Sequence, residues 1–464
     1  MRTFMDEHFL LTSGSAVYLF DSVKKLPIID FHTLLDAKVL AENKTFNNIT
    51  ELCLRAAPQK WRIMRQYGIP ESYVTGDAPD FDKFASFCEA VSECVGSPVY
   101  HLTHMELKKY FDFHGEILAE NAQEIFEQCN NIIIREELSP ITLLQKSRVE
   151  WIATKDCPTS NLEHHRKIKE MKPGFDVYPA FCPNEALDIE KATFPAYIEK
   201  LGESAGVKIS DFGSLCEALI SRLDFFASKD CITTWQSLEP FNFIQNSTSD
   251  ECDRIFKKTL GGTSPTPLEA AVFKTKLICW LGIEYYERNM VMQLEFGTRE
   301  NDNRAQTVLL GAGKGFDTIA DNCFTDSLSL FLNELEQLSS LPRTIIHSQN
   351  PSAGDSLATL CGSFAGGGNR GKIQWSGSGA FGESITGIKK HLTTLASHGL
   401  ISTYVGPHTS SGNFLSFIKH DYYRRILVDK LGEWADNGEF PRDMVRLRSI
   451  AEGISYYNAK LYFE

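Results

Sequence analysis

The sequence predicts an α/β fold of the (β/α)8 TIM-barrel type, and three observations carry that expectation. Short apolar runs read as buried strands: LPIID, VEWIAT, VYPAF, VMQLEFG, RTIIHS, GKIQWSG and STYVG. Between them lie stretches with apolar residues at i, i+3 and i+4 that end in Gly, Asn or Ser, among them SLSLFLNELEQLSS, SITGIKKHLTTLASHG and NFLSFIKHDYYRRILVDKLGEWADNG. That alternation indicates a parallel sheet, and 464 residues suit one large barrel with additions.

In chain order, the start MRTFMDEHFLLTSGSAVYLF carries Asp6 and Glu7 where a secretory leader would be apolar, so a cytoplasmic protein is expected. The run LPIIDFHTLLD, residues 26–36, delivers Asp30 and His32 to the carboxyl end of the first strand, a common way for a barrel to open a metal site. Residues i and i+2 of a strand share a face, so a His-x-His pair would aim two imidazoles at one cation. Here position 34 is Leu, and only His32 is aimed. Residues from about 37 to 145 break the alternation, being helical and aromatic-rich, and read as an insertion after the first strand of a single barrel domain spanning 1–464.

Within that insertion His101 and His104 sit at i and i+3 and read as structural. LEHHRKIKEMK, 162–172, reads as a solvated charged helix face, and Asp156 in ATKDCP as a cap for the next turn or helix. The stretch FAGGGNRGKIQWSG nearly matches a phosphate loop from Gly366 to Lys372, but Ile373 stands where Ser or Thr should follow and a strand comes next, so no nucleotide is expected. LLGAGKGFD, 309–317, lacks the last spacing of a dinucleotide loop.

Composition excludes several classes. With 47 Lys and Arg against 60 Asp and Glu, the net charge of −13 argues against a general grip on nucleic acid or anionic lipid. No window reaches the ~18 apolar residues of a membrane span. The 12 cysteines are scattered without a Cys-x-x-Cys and read as reduced.

The motifs FMDEHFLL, LPIIDFH, KWRIMR (60–65), VYHLTHMELKKYF (99–111), LGAGKGFDTIAD, HDYYRRIL (420–427) and ISYYNAKLYF (454–463) run in order from end to end. By them the chain resembles the uronate (glucuronate) isomerases of the amidohydrolase superfamily. The resemblance implies a TIM barrel that interconverts aldose and ketose forms of hexuronates such as D-glucuronate. It also implies a base to move a proton between C2 and C1, a divalent metal such as zinc, and a cation for the substrate carboxylate.

At the matching positions most of those tools are replaced. The family's His-x-His is His32 and Leu34, and its Asp-His-Tyr before Lys-Trp-Arg is Ala57, Pro58 and Gln59. Its Arg-Pro-Asp is Cys182-Pro183-Asn184, and its Ser-Asp-His-Gly is Thr234-Trp235-Gln236-Ser237. The histidine of Gln-(Leu/Phe)-His is Glu295, the paired tryptophans fall at Gly379 and Ala380, and Thr-Asp-Ser-Arg-Ser-Phe reads Thr409 to Phe414 with Ser410 and Gly412 in the functional places. Leu, Ala, Pro, Gly and Ser bring no buried charge needing a partner, while each electrostatic tool lost costs about 10² to 10³ in rate.

The expectation is therefore a divergent member: a pseudoenzyme or binding and regulatory protein, homo-oligomeric, with no catalytic residue, metal or other cofactor. The alternative is a divergent isomerase or other carbohydrate-active enzyme with a rebuilt pocket, taking a hexuronate or related sugar. In that case His32, Glu295 and His408 are the candidate rearranged metal trio, for zinc or another divalent ion. Cys182 reads as a buried, inert thiol.

Overall fold

The structure, a computed structural model, describes residues 4–321, 323–377, 379 and 381–464. Seven parallel strands curl into one sheet, each pairing with the next in chain order: β1 (Ile28–Asp30), β2 (Val149–Asp156), β3 (Asp176–Phe181), β4 (Thr233–Ser237), β5 (Val291–Phe296), β6 (Thr344–Ser348) and β7 (Ile373–Ser376). This is the TIM-type α/β architecture that the alternation predicts. Among the described residues no helix is long and apolar enough to cross a membrane.

The strand period of two sorts every side chain. On β5, Met292, Leu294 and Phe296 face the surrounding helices and join the outer apolar shell. Val291 packs inside the barrel with Ile29, Phe31, Trp151, Ala153, Ala180 and Ile345. Two residues further along these strands come Lys155, Gln293 and His347, and four beyond Val291 comes Glu295. One rule thus makes the lower barrel apolar and its carboxyl-terminal mouth polar.

Two departures from the sequence expectation have local causes. β4 was hidden because TTWQS carries Thr and Gln, yet Thr233 and Thr234 are fully buried in the ladder. STYVG makes no strand: Ile401–Thr403 is a 3-10 turn and Tyr404–Thr409 pairs with no ladder. Pro407 has no N–H to give, and Gly406 sits at φ +91°, where an added Cβ would lie 2.1 Å from the Ile454 carbonyl oxygen. The segment still occupies the eighth place. Val405 N donates to Gln374 Oε1 (3.3 Å), Thr409 N to Asp30 Oδ2 (2.9 Å) and Ser410 N to the His32 carbonyl (3.1 Å), so the barrel is closed largely through side chains.

Between β1 and β2 the chain is helical, with Leu40, Phe84, Phe87, Phe111 and Ile133 sharing a second apolar core. Helix Pro98–Phe111 starts on Ser97, whose side chain accepts from Val99 N, with Pro98 in the first turn. His104 Nδ1 lies 2.8 Å from the Tyr100 carbonyl and its Nε2 accepts from Ile117 N, while His101 meets Tyr422 Oη at 3.2 Å, contacts that tie the helix down. Asp156 does not act as a cap. Its carboxylate accepts from Thr154 Oγ1 (2.7 Å) beside His165, and burial pushes the carboxyl up to about 7.

Candidate active site at the barrel mouth

The mouth is built around Gln293, which is wholly buried. Its Nε2 donates to the Phe31 carbonyl and to Thr233 Oγ1, both at 2.9 Å, and Thr233 Oγ1 in turn donates to the Val291 carbonyl. The amide orientation is thereby settled, and Oε1 faces His32 Nδ1 (3.0 Å) and His347 Nε2 (2.8 Å), both of which must donate. Burial, with His32 and His408 adjacent, holds His347 well below the usual histidine range, so its Nδ1 keeps a lone pair. His408 Nε2, 3.1 Å away, then carries the proton that bridges them, and it also meets Ser376 Oγ at 3.0 Å. Burial lowers His408 as well, and its Nδ1 lone pair has no partner.

One layer higher, the Glu295 carboxylate is gripped by His32 Nε2 at 3.3 Å and Trp235 Nε1 at 2.5 Å. Burial alone would raise the Glu295 carboxyl, but the His32 hydrogen bond and charge, Lys155 and the Trp235 N–H outweigh it and hold it below the ordinary glutamate range. Lys155 stands exposed over the Trp235 ring at 4.7 Å. Crowding would lower its ammonium, yet the Cys182 sulfur and the Glu295, Glu300 and Glu185 carboxylates raise it. An ionised carboxylate locked on an imidazole, with a cation at the opening, is the arrangement needed to move a proton beside an anionic substrate.

A cavity of about 430 Å³ opens beside this centre, lined by Leu34, Pro58, Gln59, Phe381, Ser410 and Gly412 among others. Its two lysines are occupied: Lys60 pairs with Glu106 and Lys419 with Glu383. The sequence-derived positions therefore divide. Leu34, Pro58, Gln59, Ser410 and Gly412 share the cavity wall, and His32, Trp235, Glu295 and His408 belong to the polar centre. Gln236 faces away from it, its Nε2 donating to Tyr285 Oη at 3.2 Å. Cys182 is buried and its thiol is pushed up to about 12 by burial, as an inert thiol should be. Ala380 lies outside the described residues.

The candidate metal trio needs correcting. Glu295 caps the far side of His32, and the third imidazole is His347: His32, His347 and His408, all buried, have ligand atoms within 4.8 Å of one another. His32 is also not held by Asp30 through its ring, since only its backbone N–H meets that carboxylate. Three imidazoles, His347 and His408 among them held neutral by burial, form a suitable donor set for a divalent ion, and the unpartnered His408 Nδ1 is a lone pair free to ligate. The His32 and His347 rings stack at 3.9 Å and 20°, so one must turn before both address one ion. His347 was missed although RTIIHS sets a histidine at a strand's carboxyl end just as LPIIDFH does, and Lys155 was missed although it continues the Trp151, Ala153 face.

Comparison with known proteins agrees with this architecture. The glucuronate isomerase family model matches residues 1–463. The uronate isomerase of Caldanaerobacter subterraneus is 41% identical over 100% of this chain and 99% of its own length, and that of Caldicellulosiruptor bescii is 41% identical with full coverage of both. The crystal structure of uronate isomerase from Thermotoga maritima superposes with a TM-score of 0.93 at 29% identity, covering 100% of each chain. Identity of this order from end to end does not bear out the expectation of a divergent member. The chain belongs to the glucuronate isomerase family.

Proposed function

We propose that the protein is an aldose–ketose isomerase of sugar acids that works through a rebuilt centre. In this reading Glu295 carries the proton between the two sugar carbons, His32 and Trp235 hold Glu295 in place, and Lys155 pairs with the substrate carboxylate. The observation that carries it is the Glu295 carboxylate fixed between His32 Nε2 and Trp235 Nε1 under an exposed lysine. Full-length identity to the curated uronate isomerases supports the same reaction class. When bound by His32, His347 and His408, a divalent cation supplies polarisation of a sugar oxygen.

A coupled assay with D-glucuronate, D-galacturonate and their neutral aldohexose counterparts tests the proposal. Turnover of a uronate, with Lys155→Met raising KM for it by about tenfold or more and leaving neutral sugars unaffected, is the expected result. The second reading, binding without turnover, rests on the cavity wall of Leu34, Pro58 and Gly412, whose two lysines are both paired. Uronate binding by calorimetry with no product would decide for it and against the first.

The histidine trio has its own test, independent of activity. Zinc is expected to raise the melting temperature of the wild-type chain and leave that of His347→Ala unchanged, because His347 and His408, held neutral by burial, need lose no proton to bind. An equal shift in both proteins places the metal elsewhere.

A further inference from the structure

At the amino-terminal end of the barrel, away from the mouth, a cavity of about 350 Å³ lies between Ile28 at the start of β1, Arg148 just before β2, helix Pro98–Phe111 and helix Ile418–Asp436. Six cationic side chains line it, Lys24, Lys108, Lys109, Arg148, Arg424 and Arg425, against the carboxylates of Asp6 and Asp421. On a chain of net charge −13 this is a strong local reversal of sign.

Part of that charge is committed. Lys24 pairs with Asp21, Lys108 Nζ donates to the Met5 carbonyl, and Arg425 meets Asp421 at 3.2 Å along with the Glu7 and Phe9 carbonyls. Arg424, buried, donates through its terminal nitrogens to the Leu26, Pro27 and Ser455 carbonyls, but its Nε–H has no partner. Arg148 spends one nitrogen on the Lys24 carbonyl. Lys109, exposed at the rim, has no hydrogen bond or ion pair among the described residues, and its ammonium lies 5.3 Å from the Tyr110 ring. Crowding by the cleft walls pulls the Lys109 ammonium down to about 8, Arg148 and Arg424 adding repulsion that Asp421 partly offsets.

We propose that this cleft is a second ligand site, one that binds the phosphate group of a small anion through Lys109 and Arg148, with the buried Arg424 guanidinium adding positive charge behind them. Like charges held together with donors unspent are stabilised by a compact polyanion, and ammonium and guanidinium groups are its usual partners. The volume admits a phosphorylated metabolite as well as phosphate itself.

Isothermal titration of the full chain with inorganic phosphate and with glucose 6-phosphate tests this, sodium chloride at equal ionic strength serving as control. Saturable binding is expected, weakened about tenfold or more in Lys109→Gln and in Lys109→Gln/Arg148→Gln, with uronate binding at the mouth unchanged. Equal affinity for both probes identifies free phosphate as sufficient, and tighter binding of the sugar phosphate identifies a metabolite. Lys109 resonances of the wild type, followed by NMR, should titrate at higher pH when phosphate is present. Absence of binding at about 10 mM, or affinity unaffected by both variants, overturns the proposal.

Discussion

Glu295→Gln is expected to lower kcat on the uronate substrate by about 10³ while KM moves by less than about threefold. The amide keeps the size of the carboxylate and can still accept from Trp235 Nε1, so the pocket's shape and the Lys155 contact to substrate persist. What is lost is the carboxylate that can take up and return a proton, while the buried imidazoles of His32 and His347 remain committed to Gln293. Steady-state kinetics on the purified variant makes the measurement. A variant that retains more than about a tenth of the wild-type kcat would show that another group moves the proton, and Glu295 would then only position His32.

Asp30→Ala is expected to destabilise the chain by about 3 to 5 kcal/mol, the largest effect of any single substitution at the mouth. Asp30 is fully buried and accepts from Thr409 N at 2.9 Å, His420 Nε2 at 3.2 Å and the His32 amide at 3.3 Å. Truncation strands all three donors in an interior where water does not replace the lost acceptor. Burial lowers the His420 imidazole, the Asp30 hydrogen bond opposing it, so the ring cannot simply stay charged and solvated once its partner is gone. Asp30→Asn keeps one acceptor oxygen and should cost roughly half as much. Equilibrium denaturation of the two variants against wild type measures the difference, and an Ala variant within about 1 kcal/mol of wild type would show that the interior repacks around the gap.

How much of this was legible in the sequence depends on where each signal originates. The strands with an apolar outer face could be read directly, because Met292, Leu294 and Phe296 alternate along VMQLEF and Ile345 and Ile346 are adjacent β-branched residues in TIIHS. The eighth stave could not, since its extended path is imposed by Gly406, Pro407 and side-chain contacts across the sequence, and not by local pattern. The emptied positions Leu34, Pro58, Ser410 and Gly412 were visible because a resemblance supplies an expected residue at each. Their replacements were harder to see. His347 and Lys155 gain meaning only when β6 and β2 bring them beside His32 and Trp235, a relation that no spacing along the chain encodes. Gln236 shows the converse error: a position inferred to face the pocket is turned outward by the same alternation that turns Trp235 inward.

The manner in which residues 404–410 join the barrel bears on how the mouth can change. A laddered strand ties each residue to its neighbours' register, so a single insertion or reversal turns every side chain beyond it to the other face. This stave is pinned at separate points by Gln374, Asp30 and the His32 carbonyl. Substitutions between those pins, His408 among them, can therefore accumulate one at a time without propagating. The seam of the barrel is the part most open to new chemistry, and grafting of ligand residues should succeed there more readily than on any of the seven hydrogen-bonded strands.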